Sequence, residues 1–349
     1  MAQTRPASDL RLTRRRDRRE FLLLGFRFSA TASLVTLTAC TLSDPRIDAP
    51  PQSVEPDPTP TPAPTFTGAE AGAANEHRLA AIAGSIVVRH RQVLSAEQRL
   101  LFDGIRDAHV QHQDTLRSDR PTDRPTPPPP PANPPPALNP VRDLSLPNSV
   151  ALLIAQERAL ATRHQQAALR STGLSALLWG SMAVAAESFA AGAADPRPFI
   201  APRPRRPAVL LSDVEAIQEM VRQLHAAVYG YQLAIGKLPA ASKRRARAVT
   251  SLREHRILRD RLISGLNQRS AAVPVPEVAY VPSPNPTDPD TASTLIQRLE
   301  TAQQPFCGLW LAAATTADDR ALALSMLRST SRTALAWGAS LGIWPGWPD

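Results

Sequence analysis

Proline-rich stretches limit where this chain can fold. The sequence has 36 prolines in 349 residues, about double the usual share of roughly 5%. They cluster within residues 41–67, 119–147, 196–207 and 271–290. Proline lacks the N–H group that helix interiors need, and runs of proline favour extended polyproline conformations. We therefore interpret these stretches as linkers and expect the folded part to lie between them.

The segments between the linkers are rich in Ala and Leu at helical spacing, and none alternates as a strand would. Capping boxes begin two of them, Ser95 with Gln98 and Ser212 with Glu215. The pattern predicts an all-α fold. The expected helices lie at about residues 73–92, 96–118, 149–170, 173–193, 213–237, 241–268, 291–315 and 319–341.

The last four predicted helices match the first four as a diverged repeat. In each half a long proline-rich connection, residues 119–147 or 271–290, separates the second helix from the third. Such a crossover lets the third helix run parallel to the second, as in ferritin-like four-helix bundles. We predict two tandem ferritin-like bundles, residues 73–195 and 210–343, joined by an Arg/Pro linker at 196–209. The matching positions are Glu76-His77 with Leu224-His225, His109 with His255, and Glu157 with Glu300.

The second half resembles an uncharacterised ferritin-like domain family of bacterial exported proteins. The resemblance covers about residues 210–343, and it implies the fold rather than an activity. The family usually places Glu before the first His, where this chain has Leu224. The residues that carry the resemblance are His225-Ala226-Ala227-Val228-Tyr229-Gly230-Tyr231, His255-Arg256, Arg259-Asp260 and Leu299-Glu300.

The N-terminus, residues 1–39, has the layout of an export signal: a basic start, an apolar middle and a small-residue end. Arg18 and Arg19, followed by Glu-Phe-Leu, resemble a twin-arginine signal, and the Leu-Thr-Ala-Cys sequence ending at Cys40 resembles a lipobox. The resemblance implies cleavage before Cys40 and a lipid on that cysteine. The alternative is a membrane-spanning anchor, which needs about 20 apolar residues, but Arg27 interrupts the run.

The net charge bears on nucleic-acid binding, and the cysteine count bears on disulfide bonds. Of the net charge of +9, residues 1–39 hold +5, with eight arginines and three acidic residues, so the mature chain keeps +4. We therefore expect no nucleic-acid partner. With Cys40 acylated, Cys307 has no partner for an internal disulfide.

Residues 40–72 are expected to form a stalk that holds the bundles near the outer face of the cell membrane.

Polar residues on the apolar stripes of the first bundle form a candidate metal site. Ferritin-like di-iron proteins place carboxylates and histidines there, and buried carboxylates need a partner or a metal. The candidates are Glu76, His109, His112, Glu157 and Glu187, a mixed set suited to iron, manganese or zinc. The alternative is a metal-free network satisfied internally or by Arg78 and Arg106.

The second bundle lacks this set, because Leu224 and Leu258 replace Glu76 and His112. There we expect His255, Asp260 and Glu300 to form a polar lock in which His255 donates to Glu300.

The functional expectation is a lipid-anchored, extracytoplasmic protein with a binding or structural role in the cell envelope. It would contact the membrane through Cys40 and an envelope protein or wall polymer through the bundles. No Gly-x-Ser-x-Gly turn or Gly-rich phosphate loop is present, and we expect neither catalysis nor a cofactor. The alternative is a redox or metal-storage protein with iron or manganese in the first bundle.

Overall fold

The computed structural model describes residues 68–118, 122, 141–199 and 208–348. The export signal with Arg18 and Arg19, the lipidation site Cys40 and the stalk before residue 68 lie outside the described residues. Most of the first crossover and of the Arg/Pro linker lie outside them as well. The described helices belong to one compact unit, residues 61–349.

The fold is all-α, as the sequence predicts. The described part contains eight helices and no strand beyond one isolated bridge between Phe199 and Leu341. The predicted and observed ends differ most for the last helix, expected to reach residue 341 and ending at Ala336. The helices are α1 (Ala69–Arg89), α2 (Ala96–Arg117), α3 (Leu146–Arg170), α4 (Gly173–Ala194), α5 (Asp213–Ile235), α6 (Lys243–Gln268), α7 (Pro289–Ala313) and α8 (Ala317–Ala336).

Both predicted capping boxes are confirmed. The hydroxyl of Ser95 accepts from the backbone N–H of Gln98, whose side chain accepts from the N–H of Ser95. Ser212 and Glu215 make the same reciprocal pair at the start of α5. These bonds satisfy N–H groups that have no partner within the first turn of a helix.

Helices α1 to α4, here called the first quartet, pack against one another with the helix directions that the predicted crossover requires. Gly72 near the start of α1 meets Leu116 near the end of α2, so these helices are antiparallel. Helix α1 is also antiparallel to α3, because Glu76 contacts His164 and His90 contacts Ser149. Helices α2 and α3 therefore run in the same direction.

Helices α5 to α8, the second quartet, repeat this plan. The Arg245 guanidinium at the start of α6 donates to the carbonyl of Ile235 at the end of α5. Cys307 late in α7 lies 3.9 Å from Met220 early in α5. Both neighbours of α5 are thus antiparallel to it, and the connection from residue 269 to 288 carries the chain back to the start of α7.

Helix α4 forms the junction between the quartets. A Cβ atom at Gly180 would lie 2.4 Å from the Leu311 side chain of α7, so the glycine permits this close approach. By length and composition α4 is the one helix in the described ranges that could span a membrane, yet 78% of that window is buried inside the protein. Its apolar character is therefore that of a core helix.

The chain after α8, residues 338–348, returns to the first quartet and is here called the C-terminal segment. Its Leu341 is fully buried, and the Leu341 N–H donates to the carbonyl of Pro198. Gly346 lies so close to α7 that a Cβ at Gly308 would be 1.9 Å from the Gly346 oxygen. The segment therefore packs against both quartets.

Candidate metal centre

Three helices place five titratable side chains in the core of the first quartet. Each lies one helical turn from a buried apolar residue on its own helix, as Glu76 does from Leu79, so it shares the inward-facing apolar stripe. All five are at most 2% exposed. The five are Glu76 from α1, His109 and His112 from α2, and Glu157 and His164 from α3.

Glu76 is the centre of the cluster. Its Oε2 accepts from His109 Nδ1 at 2.6 Å and lies 3.3 Å from His112 Nδ1. Its Oε1 accepts from His164 Nε2 at 2.7 Å. One carboxylate therefore faces three imidazoles.

His109 lies between the two carboxylates. Its Nδ1 contacts Glu76, and its Nε2 is 2.7 Å from Glu157 Oε1. The other oxygen of Glu157, Oε2, is buried and has no hydrogen-bond partner among the described residues. A buried acceptor left without a donor costs about 1–3 kcal/mol, so this atom marks an incompletely satisfied site.

His112 is oriented by the C-terminal segment. Its Nε2 lies 3.0 Å from the carbonyl oxygen of Ile343, and the Trp344 ring packs on its imidazole with centroids 4.5 Å apart. A carbonyl oxygen only accepts, so Nε2 carries the hydrogen. In a neutral imidazole Nδ1 then has a lone pair, which points at the Glu76 carboxylate. A proton or a metal ion at Nδ1 removes the repulsion between these two acceptors.

The charges of the cluster are strongly coupled. Burial opposes ionisation of Glu76, but the charges of His112 and His109 outweigh it and hold the pKa of Glu76 well below its usual value. Burial likewise opposes protonation of His109, yet Glu157 and Glu76 raise its pKa to about 10. Burial raises the pKa of Glu157 and lowers the pKa of His164. A positive charge is thus favoured at the His109 position, between the carboxylates.

Four of the five residues predicted for the metal site meet here: Glu76, His109, His112 and Glu157. The expected convergence fails for Glu187, which pairs with Arg328 of α8 at 2.6 Å and is one-third exposed. The set of ligands predicted from the sequence does not include His164, although this residue follows Glu157 by two helical turns on the same apolar stripe.

The two arginines suggested as partners for this cluster lie on the surface instead. Arg78 is exposed, and Arg106 pairs with Asp103 and Asp107 on the surface. The polar side chains that contact the two carboxylates are histidines.

The second quartet has a smaller version of the cluster. His255 Nε2 donates to Glu300 Oε1 at 2.8 Å, as expected, and the Tyr231 hydroxyl donates to the same oxygen. Asp260 does not take part, because it is exposed and pairs with Arg259. His255 Nδ1 has no partner in the described structure, since Leu224 occupies the place that Glu76 has in the first quartet.

Comparison with known protein families gives a match for the last part of the chain. Residues 216–349 are similar to a family described as domain of unknown function (DUF4439). The matched region comprises most of the second quartet and the C-terminal segment, which includes Ile343.

Among solved structures, a conserved hypothetical protein, rv2844, from Mycobacterium tuberculosis is 26% identical to this chain. The match covers 36% of this chain and 93% of that one, with a TM-score of 0.34. No curated protein matches the chain.

Proposed function

We propose that this chain is a lipid-anchored, extracytoplasmic protein with two ferritin-like bundles, the first of which binds a divalent transition-metal ion. The observation that carries the metal part is the meeting of Glu76, His109 and His112, whose ligand atoms all lie within 4.8 Å of one another. Imidazole and carboxylate together suit zinc, iron or manganese.

The burial of the carboxylates and imidazoles supports a bound metal ion in this cluster. Ionised groups in a protein interior carry desolvation penalties of several kcal/mol each unless they are paired or coordinate a metal. The cluster puts two carboxylates and three imidazoles in one pocket of the core, with the Oε2 atom of Glu157 still lacking a donor. An ion provides positive charge where these groups converge.

The same burial favours a structural or binding role over turnover. Catalytic metal sites keep a position open to water or substrate, whereas structural sites are closed. Here the C-terminal segment covers the cluster, and no member is more than 2% exposed. We therefore propose that the ion is held as a fixed part of the fold.

A second candidate is a metal-free envelope protein with a binding or structural role. The observation that favours it is the position of His109, which bonds both carboxylates at 2.6 and 2.7 Å. A protonated His109 would neutralise one of the two negative charges without an ion. Under this candidate the partner is an envelope protein or wall polymer.

The location rests on the sequence alone. Arg18, Arg19 and Cys40 resemble a twin-arginine lipoprotein signal, and twin-arginine export carries folded proteins, which suits a buried ion loaded before export. We propose that the lipid on Cys40 attaches the protein to the membrane. Labelling with a radioactive lipid precursor tests this: the label should appear on the wild type and vanish in Cys40→Ala, and a labelled variant would exclude the assignment.

Metal analysis of the protein purified in detergent from its native host tests the metal. We expect iron, manganese or zinc in stoichiometric amount, and loss of that metal in Glu76→Gln. His255→Gln in the second quartet is the matched control and should keep the metal. A folded wild-type protein without bound metal would support the metal-free candidate.

A further inference from the structure

We propose that the first quartet binds a single metal ion through three protein ligands, Glu76 Oε2, His109 Nδ1 and His112 Nδ1. The inference rests on the proposed metal-binding function and specifies its ligands and stoichiometry. Glu157, His164 and the Ile343 carbonyl then act as outer partners that orient the ligands.

The distances fit such a site. With metal–nitrogen and metal–oxygen bonds of about 2.1 Å and tetrahedral angles, two ligand atoms are separated by about 3.4 Å. His112 Nδ1 and Glu76 Oε2 are 3.3 Å apart. His109 Nδ1 is at hydrogen-bond distance from the same oxygen, 2.6 Å. Exchanging the proton on His109 Nδ1 for an ion requires this pair to separate by about 0.8 Å on the same estimate.

The far nitrogen of each proposed histidine ligand already has an acceptor. His109 Nε2 faces Glu157 at 2.7 Å, and His112 Nε2 faces the carbonyl of Ile343 at 3.0 Å. Histidines that bind metals donate their other N–H group to a carboxylate or backbone carbonyl, which fixes the tautomer and the ring direction. Both rings therefore direct Nδ1 toward Glu76.

The ligating carboxylate is held in the same way. Glu76 Oε1 accepts from His164 Nε2 at 2.7 Å, which leaves Oε2 for the ion.

The geometry argues against a second ion. A di-metal centre of the ferritin-like type shares carboxylates between its ions, but the ring of His109 stands between Glu76 and Glu157 and bonds to both. The further carboxylate that helix α4 could supply, Glu187, is paired with Arg328. Two imidazoles and one carboxylate provide three protein ligands, enough for one zinc or ferrous ion.

The experiment measures metal stoichiometry on the full chain, purified in detergent from cells grown with zinc, with iron, or with cobalt as a spectroscopic probe. We expect one ion per chain. His112→Ala should reduce occupancy to less than about a tenth and remove the visible absorption of bound cobalt. Glu157→Gln should still bind one ion at saturating metal, with an affinity about 10–100-fold lower, as for other outer partners. Glu187→Gln is the control and should match the wild type.

Each result would overturn a different part of the proposals. Two ions per chain, or loss of the ion in Glu187→Gln, would overturn the three-ligand site while leaving the metal-binding function in place. One ion that is unaffected by His112→Ala would place the ion elsewhere in the chain. No ion in a folded wild type would overturn both proposals. The wild-type stoichiometry does not depend on whether any variant folds.

Discussion

Gly308→Ala tests whether the C-terminal segment is fixed in place against α7. The new Cβ would lie 1.9 Å from the Gly346 oxygen and 2.7 Å from its carbonyl carbon. Both are backbone atoms, so no side-chain rotation relieves the contact. Gly346 is also packed closely against α8, because a Cβ at that position would lie 2.8 Å from the Leu327 side chain. The C-terminal segment must therefore move by about 1.5 Å to reach van der Waals distance.

Two effects of the substitution oppose each other. Alanine is favoured over glycine inside a helix by about 1 kcal/mol, which would stabilise α7. Overpacking a closed core costs typically 1–3 kcal/mol and occasionally more. The moving segment carries the buried side chains of Leu341, Ile343 and Trp347, so we place the cost at the upper end. The net expectation is a loss of about 2 kcal/mol, or about 4–8 °C in Tm for a domain of this size.

Thermal unfolding followed by circular dichroism measures the effect, with two glycine variants as controls. Gly180→Ala also lies inside a buried helix, but the one close contact of its Cβ would be the tip of the Leu311 side chain, which can rotate away, so a smaller loss is expected. Gly342→Ala has nothing within 4 Å and should stay within about 0.5 kcal/mol of the wild type. If Gly308→Ala melts at or above the wild-type temperature, the packing of the segment described above is wrong.

Three further predictions concern other parts of the molecule. Burial raises the pKa of the Cys307 thiol well above its usual value, so iodoacetamide at pH 8 should modify it only after unfolding; rapid labelling of the native protein would contradict this. A double-mutant cycle of Tyr231→Phe and Glu300→Gln should give a coupling of about 1.5–3 kcal/mol, as for a hydrogen bond to a charged group, and a coupling near zero would show that the Tyr231–Glu300 bond does not stabilise the fold. Arg328→Ala should cost at most about 1 kcal/mol in urea unfolding, because both side chains of its pair with Glu187 are about one-third exposed, and a larger loss would assign that pair a structural role.

The sequence predicts the helices well because their signals are local. Capping residues, helical periodicity and proline-rich breaks lie within a few residues of the ends they set. The end of α8 is different. The periodic pattern continues to residue 341, but the helix ends at Ala336, Gly338 adopts a left-handed φ of 95°, and the chain turns toward the first quartet. The contact that holds it there joins His112 to Ile343, 231 positions apart, and no local pattern indicates such a pair.

The sequence correctly indicates which side chains converge where a helix has a single apolar stripe, and it fails to do so where a helix has none. In α1, α2 and α3 the stripe defines an inward face, and the polar residues on it converge. Helix α4 is buried on nearly all sides, so its periodicity gives no direction for Glu187. Asp260 fails for a simpler reason: five residues after His255, at 3.6 residues per turn, it lies about 140° around the helix from that residue.

The two quartets together indicate what the polar cluster contributes. Leu224, Leu258 and Cys307 occupy the places of Glu76, His112 and His164 in a quartet with the same helix arrangement.

The second quartet thus keeps this arrangement with a smaller buried set, in which His255 and Tyr231 bond to Glu300. Replacing buried charges by apolar residues of similar size is often neutral or stabilising. The triple variant Glu76→Leu, His112→Leu, His164→Cys gives the first quartet the side chains of the second. We expect it to keep the helix content of the wild type and a Tm within a few degrees, and to bind no metal. Collapse of the fold in this variant would show instead that the cluster is needed for folding, with or without a bound ion.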